Sequence, residues 1–160
     1  MASQLLNILR EQKEMGLKGG IYHKTQIDLT YNSNHIEGSK LTYEQTRYIY
    51  ETNTIGITNE AVKVDDIMET VNHFRCFDFI LDNAEIILSE QLVKDLHKIL
   101  KTGTTDSQKT WFSVGDYKQI PNEVGGIETS LPEDVHNHMR ELLSTYNGRS
   151  DKTVNDILAF

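Results

Sequence analysis

The chain has 160 residues, of which 38% are hydrophobic and 25% charged, and this composition predicts a single globular domain with a substantial core. The formal charge is −8 and no run of Lys or Arg exceeds two residues, so nucleic acid and anionic membrane surfaces are not expected partners. No segment approaches the roughly 18 consecutive apolar residues of a membrane span and no signal-peptide core opens the chain, which predicts a cytoplasmic protein without membrane attachment.

Two helices are predicted at the start of the chain. The first runs from Ala2 to about Met15 and ends before the glycines at positions 16, 19 and 20. The second runs over residues 24–38, and Gly38 is expected to end it in a left-handed conformation. Its apolar residues recur at helical spacing and predict one buried stripe: Ile27, Leu29, Tyr31 and Ile36.

The last turn of this second helix carries a carboxylate in an unfavourable place. Glu37 lies at the carbonyl end of the helix, where the partial negative charge of the backbone favours cations. Ser33 lies four residues earlier, so its hydroxyl and the Glu37 carboxylate project from the same face, one turn apart. On residue types alone, a solvated helix end with a polar face is the simpler interpretation.

A family resemblance favours a functional interpretation of the same residues. The segment 33–38, with Ser33, Glu37 and Gly38 at its fixed positions, resembles the inhibitory-helix motif of the Fic (filamentation induced by cAMP) family. The flanking residues 31–32 and 39–42 are also similar to that family. The resemblance implies that Glu37 reaches an arginine of the active site and obstructs productive placement of the ATP γ-phosphate.

The core helices are predicted over residues 42–103. Thr42 and Gln45 form a capping box that opens a helix to about Thr52. The next helix, from about Val62 to Leu81, is apolar over much of its circumference and is expected in the middle of a bundle. Within it, Cys76 is interpreted as a small buried hydrophobe and His73 as a core or boundary histidine. A further helix begins after Ser89 and ends at Gly103.

The helical period disappears between residues 104 and 131, and residues 111–127 predict a hairpin with Pro121 at an exposed edge. This segment resembles the flap of Fic proteins, with Gly115-Asp116-Tyr117-Lys118 where the family has Gly, any residue, Tyr or Phe, and Arg. The resemblance implies that a target protein adds a strand to the edge of the flap. It also places four residues near the nucleotide: Asn122, Glu123, Val124 and Gly125.

Two more helices are predicted over residues 132–160. Pro132 is favoured at a first helical position, and Asp151 is a candidate N-cap for a last amphipathic segment. The pair His136 and His138 suggests a metal or nuclease site. We reject that interpretation because residues two apart on a helix face different directions, and we expect no metal site in this chain.

The sequence does not contain the signature loop His-Pro-Phe-x-x-Gly-Asn-Gly-Arg of the Fic family, whose His is the general base. The chain stops at Phe160, within an apolar helical segment, as a truncated chain would. No catalytic residue can therefore be assigned. A general base typically contributes about two to four orders of magnitude in rate, so we expect the chain as written to be inactive.

We therefore predict an all-α helical bundle of the Fic type with a short β-hairpin flap, forming one domain over residues 1–160 that lacks its C-terminal part. The resemblance implies a self-inhibited protein adenylyltransferase that transfers AMP from ATP to a Ser, Thr or Tyr hydroxyl of a target protein. It also implies ATP and Mg²⁺ as cofactors. The alternative is a non-catalytic interaction module that uses the flap edge, and assembly into a homo-oligomer is left open.

Overall fold

The computed structural model describes residues 3–56, 61–150 and 152–158. The fold is mostly helical, with one small antiparallel hairpin, and this confirms the predicted fold class. The elements in chain order are helices α1 Gln4–Met15, α2 Ile21–Ile36, α3 Tyr43–Thr52, α4 Val64–Asn83 and α5 Glu90–Lys101, a 3₁₀ turn Asp106–Gln108, strands β1 Glu123–Val124 and β2 Ile127–Glu128, and helices α6 Pro132–Asn147 and α7 Val154–Leu158.

Helix α4 is the centre of the bundle. It packs against α1, α2, α3 and α5, while α6 packs on α5. Phe77 joins Tyr22 in one buried cluster, and Phe74 joins Leu41 and Ile49 in a second one. A helix that is apolar on several sides can contact neighbours on all of them, so the expected central position is confirmed.

The buried face of α2 differs from the predicted stripe. The helix begins at Ile21, three residues before the expected start, and Ile36 is 83% exposed. Ile27 of the predicted stripe is buried, but the other buried residues repeat every four positions and are largely polar: Tyr22, Gln26, Thr30 and Asn34. A search for apolar periodicity cannot detect this row, because the burial of its polar members depends on how α2 packs against α4, which bonds to the side-chain amides of Gln26 and Asn34.

The predicted helix ends are confirmed where local chemistry decides them. Thr42 Oγ1 accepts from the backbone N–H of Gln45 at 3.2 Å, and the Gln45 side chain accepts from the backbone N–H of Thr42 at 2.8 Å. Ser89 caps α5 by accepting from the N–H of Leu92 at 3.2 Å. Cys76 is buried as expected, and burial raises the pKa of its thiol to about 11.

The hairpin is shorter than predicted and lies at the end of the predicted range. Its two strands flank Gly125 and Gly126, whose φ angles are +60° and +78°, as a tight two-residue turn requires. Residues 111–122 form turns and irregular backbone rather than the first strand of the hairpin, and this corrects the predicted flap of 111–127. Two consecutive positions with positive φ suit glycine, so the glycine doublet fixes the turn.

The C-terminal part keeps only some of its predicted packing. Leu143 of α6 is buried, whereas Val154 and Ile157 of α7 are 71% and 57% exposed, so they form no buried face here. The proposed N-cap Asp151 lies outside the described residues. Among the helices described, none is both long and apolar enough to cross a membrane.

The contact between α2 and α4 yields a stability prediction. The hydroxyl of Thr70 donates to the carbonyl of Asp66 at 2.7 Å and accepts from the Asn34 side-chain amide at 2.9 Å. We expect Thr70→Val to lower the free energy of unfolding by about 1–3 kcal/mol, because the buried side-chain amide of Asn34 loses its acceptor. Urea denaturation measures this. The exposed control Thr110→Val should change stability by less than about 0.5 kcal/mol, and equal effects of the two variants would contradict the prediction.

Candidate functional site

The end of α2 forms one wall of a cleft of about 410 Å³, which we call the Glu37 cleft. It lies where the last turn of α2 meets the middle of α4 and the end of α5. Ser33 and Glu37 both line it, as their spacing on one helical face predicts. The lining residues are Ser33, Asn34, Ile36, Glu37, Glu69, His73, Leu100 and Lys101.

Hydrogen bonds on either side of Glu37 fix its position. Before it, the amide of Asn34 is bonded to Thr70. After it, Gly38 has a φ of +92°, as predicted, and the N–H of Ser39 returns to the carbonyl of Asn34 at 2.9 Å. The backbone of the next residue, Lys40, donates to the carboxylate of Asp66 on α4 at 3.0 Å. The carboxylate of Glu37 therefore projects from a backbone that is anchored to α4 at both ends.

Burial is the largest influence on the pKa of His73 in this cleft. It lowers the pKa of His73 below its ordinary value, with opposing contributions from Glu69 and Glu37, which raise it, and a lowering contribution from Lys101. The ammonium of Lys101 pairs with Glu69 at 2.6 Å. His73 is therefore neutral near pH 7, and the cation of Lys101 is already neutralised. In the described part of the chain, no ion pair of 4.0 Å or shorter involves Glu37.

Residues 116–118 of the predicted motif line a second, larger cleft of about 720 Å³ against α5, which we call the aromatic cleft. The N–H of Gly115 donates to Nδ1 of His97 at 3.1 Å, and a Cβ at this glycine would lie 2.8 Å from Cβ of Lys98. Gly115 therefore allows the segment to approach α5 closely. The apolar side chains of its lining include Trp111, Phe112, Tyr117 and Ile120.

Tyr117 is held in place by α5. Its hydroxyl donates to the carboxylate of Glu90 at 2.9 Å, and the ammonium of Lys94 lies 4.2 Å from the centre of its ring. Lys94 also pairs with Asp116 at 2.8 Å. Burial and the neighbouring Glu90 raise the pKa of Tyr117 to about 12, so its hydroxyl stays protonated and serves as a donor.

Lys118 and Asn122 connect this segment to the hairpin. The ammonium of Lys118 donates to Oδ1 of Asn122 at 2.5 Å and also to Oγ1 of Thr129. The carbonyl of Asn122 accepts from the backbone N–H of Thr129 at 3.3 Å. Asn122 and Thr129 flank the two strands, so Lys118 stabilises the base of the hairpin. Glu123 and Val124 form β1, and both are exposed.

The structure does not bring the two predicted groups into one site. Ser33 and Glu37 line the Glu37 cleft, whereas Gly115, Tyr117 and Lys118 lie at the aromatic cleft, and the two clefts have no lining residue in common. Helix α5 lies beside both. The contributions of Lys101 and Glu69 could not be predicted, since their pairing joins positions 32 residues apart.

The charges that line the Glu37 cleft do not match those of ATP. Among the described residues there is no group of three or more His, Cys, Asp or Glu side chains that could hold a metal ion. The Glu37 cleft offers one ammonium, on Lys101, which is already paired with Glu69, and it adds the carboxylate of Glu37. This balance of charge does not favour a triphosphate.

Comparison with known proteins tests the family resemblance. A scan against models of protein families and a search of curated proteins found no match. Among solved structures, the chain is similar to a Fic domain containing signaling protein from Bacteroides thetaiotaomicron, with 28% identity and a TM-score of 0.65 over 93% of this chain. The chain has a Fic-type fold. The match covers 58% of the length of the Bacteroides protein.

The orientation of Glu37 can be measured through His73. Because the Glu37 carboxylate raises the pKa of His73, we expect Glu37→Gln to lower the midpoint of the His73 titration, which already lies below the ordinary value of about 6.5. Two-dimensional NMR of the imidazole signals measures this. The exposed carboxylate of Glu11 on α1 is the matched control, and Glu11→Gln should leave the midpoint unchanged. An unchanged midpoint in Glu37→Gln would show that the carboxylate points to solvent.

Proposed function

We propose that this chain is the regulatory and target-binding part of a self-inhibited protein adenylyltransferase, an enzyme that transfers AMP from ATP to a hydroxyl of a target protein. The observation that carries the proposal is the similarity of 93% of the chain to a Fic domain containing signaling protein. The motif of Ser33, Glu37 and Gly38 supports the inhibitory role. Its two polar side chains face one cleft, as an inhibitory contact would require.

In this proposal Glu37 acts through its negative charge and its fixed backbone. The Glu37 cleft leaves its carboxylate without an ion-pair partner among the described residues, so a cation brought to the cleft by other groups would meet an unpaired anion. An arginine is suited to such a contact because its guanidinium binds a carboxylate with two parallel hydrogen bonds. Engaging that arginine would keep it from the phosphates of a bound nucleotide.

The hairpin supplies the proposed target-binding edge. With only two strands, both of its edges lack a neighbouring strand in the described part of the chain. An extended segment of a target protein can pair with such an edge through backbone hydrogen bonds. Lys118, Asn122 and Thr129 hold the base of the hairpin, so the edge keeps its place beside the aromatic cleft.

One observation favours the alternative, a non-catalytic interaction module. The described residues offer the hairpin edge and the aromatic cleft as surfaces for a peptide, whereas the charge balance of the Glu37 cleft does not favour a triphosphate. Isothermal titration calorimetry of this chain, with ATP and separately with an extended peptide, distinguishes the two functions. Nucleotide binding favours the adenylyltransferase, and peptide binding without nucleotide binding favours the module.

The inhibitory role predicts a gain of activity. In a polypeptide in which the signature loop follows residue 160, we expect Glu37→Gln to raise self-modification from radiolabelled ATP by about 5- to 150-fold, the range of typical coupling between two sites. Ser33→Ala should act in the same direction. The chain of 160 residues should show no modification with or without the substitution.

The control for this experiment is Glu11→Gln, which removes the same charge from the exposed surface of α1. It should leave self-modification at the level of the parent. An increase of equal size in both variants would assign the effect to net charge, and no increase in Glu37→Gln would remove the inhibitory role.

A further inference from the structure

The hairpin presents two chemically different faces. Its register pairs Glu123 with Glu128 and Val124 with Ile127. Side chains of directly opposite residues lie on the same face of a sheet, and successive residues lie on opposite faces. One face therefore carries two carboxylates and the other two aliphatic side chains. All four residues are exposed, Val124 at 67% and Ile127 at 72%.

The two carboxylates are close together because of the hydrogen-bond pattern. The N–H of Thr129 donates to the carbonyl of Asn122, so these two residues form a bonded pair at the base of the hairpin. Bonded and non-bonded pairs alternate along an antiparallel ladder, so the next pair, Glu123 and Glu128, is non-bonded. The Cα atoms of such a pair approach to about 4.5 Å. Like charges directly opposite one another destabilise a sheet, and a cation placed over this face would relieve the repulsion.

The same pattern exposes the backbone groups that a new strand would use. In a non-bonded pair, the N–H and C=O groups point away from the partner strand, toward the two edges of the hairpin. Those of Glu123 point outward from β1, and those of Glu128 from β2. No hydrogen bond within the described residues uses them. A strand added at either edge would therefore pair with a glutamate.

The position of each partner side chain follows from this pairing. The partner residue opposite Glu123 or Glu128 projects onto the face with the carboxylates, whereas its two neighbours project onto the face of Val124 and Ile127. That second face also includes Asn122 and Thr129, which line the aromatic cleft. The aliphatic face of the hairpin thus borders the aromatic cleft across the polar pair of Asn122 and Thr129.

We propose that the hairpin edge selects an extended segment of the target protein with the pattern apolar–basic–apolar, in which a Lys or Arg lies opposite Glu123 or Glu128. The flanking apolar side chains contact Val124 and Ile127 and extend toward Ile120 and Trp111 at the aromatic cleft. The inference rests on the proposed function for the existence of a protein target. Beyond that function, the inference specifies the sequence pattern of the target segment that the edge prefers.

Binding of short peptides to the chain of 160 residues tests this preference without any catalysis. The probes are Ac-Thr-Val-Arg-Val-Thr-NH₂ and the same peptide with Gln or Glu in place of Arg, followed through the amide signals of residues 123–128 by two-dimensional NMR. We expect the Arg peptide to bind about two- to fivefold more tightly than the Gln peptide, the range of a cross-strand charge pair, and the Glu peptide to bind most weakly. Replacing both Val residues by Ser should also weaken binding.

Variants of the protein separate a local effect from general attraction to an acidic chain. Glu128→Gln and Glu11→Gln remove the same charge, but only Glu128→Gln should reduce the preference for Arg over Gln. Glu128→Lys should reverse the order, so that the Glu peptide binds more tightly than the Arg peptide. Because Glu128 and Glu11 are both exposed, these substitutions should leave the fold intact.

Three outcomes overturn the proposal: equal binding of the Arg and Gln peptides, an unchanged preference in Glu128→Gln combined with Glu123→Gln, or no shift of the hairpin signals by any peptide at millimolar concentration. The result is independent of the inhibitory role, since Glu37→Gln should not change peptide binding. Failure here with a gain of activity in Glu37→Gln would leave the adenylyltransferase intact, and the reverse result would favour the interaction module.

Discussion

A polar contact between α2 and α4 positions the residues at the end of α2. The row Tyr22, Gln26 and Asn34 on α2 is bonded to Asp78, the carbonyl of Phe74 and Thr70 on α4, at distances from 2.6 to 3.3 Å. An apolar contact of the same size would tolerate a shift of one turn. Here a shift would leave buried groups unpaired, at about 1–3 kcal/mol for each group, so the register of the two antiparallel helices is specified. That register therefore determines where Glu37 lies.

Helix α5 extends the same constraint to the second cleft. The buried amide of Asn72 donates to the carbonyls of Leu100 and Thr102, each at 2.8 Å, and so fixes the end of α5 against α4. Side chains at helical spacing on α5 then serve both clefts, with Lys101 in the Glu37 cleft and Lys94 and His97 beside the motif 115–118. The two clefts are therefore separate in lining but share a rigid wall. A displacement of α5 would therefore change the geometry of both clefts.

Local chemistry explains which parts of the structure could be predicted. The capping box of Thr42 and Gln45 and the left-handed Gly38 depend on neighbours within a few residues, and both were predicted from the sequence. The burial of Gln26 and Thr30 could not be predicted, because it depends on packing against a distant helix: the Gln26 amide bonds to α4, whereas the Thr30 hydroxyl is buried without a hydrogen-bond partner among the described residues. The predicted hairpin begins too early because the aromatic residues from Trp111 onward are typical of a strand. The turn is instead set by Gly125 and Gly126.

The two candidate sites differ in how firmly the fold holds them. Ser33 and Glu37 extend from a helix end that is bonded to α4 on both sides, so their geometry is as stable as the bundle itself. The hairpin has two residues in each strand, no buried side chain and a repulsive pair of glutamates, and isolated hairpins of this size are only marginally stable. Its order depends on Lys118 at the base and on the glycine turn. An added strand would bury aliphatic surface and supply a cation, so binding and ordering of the hairpin should be coupled.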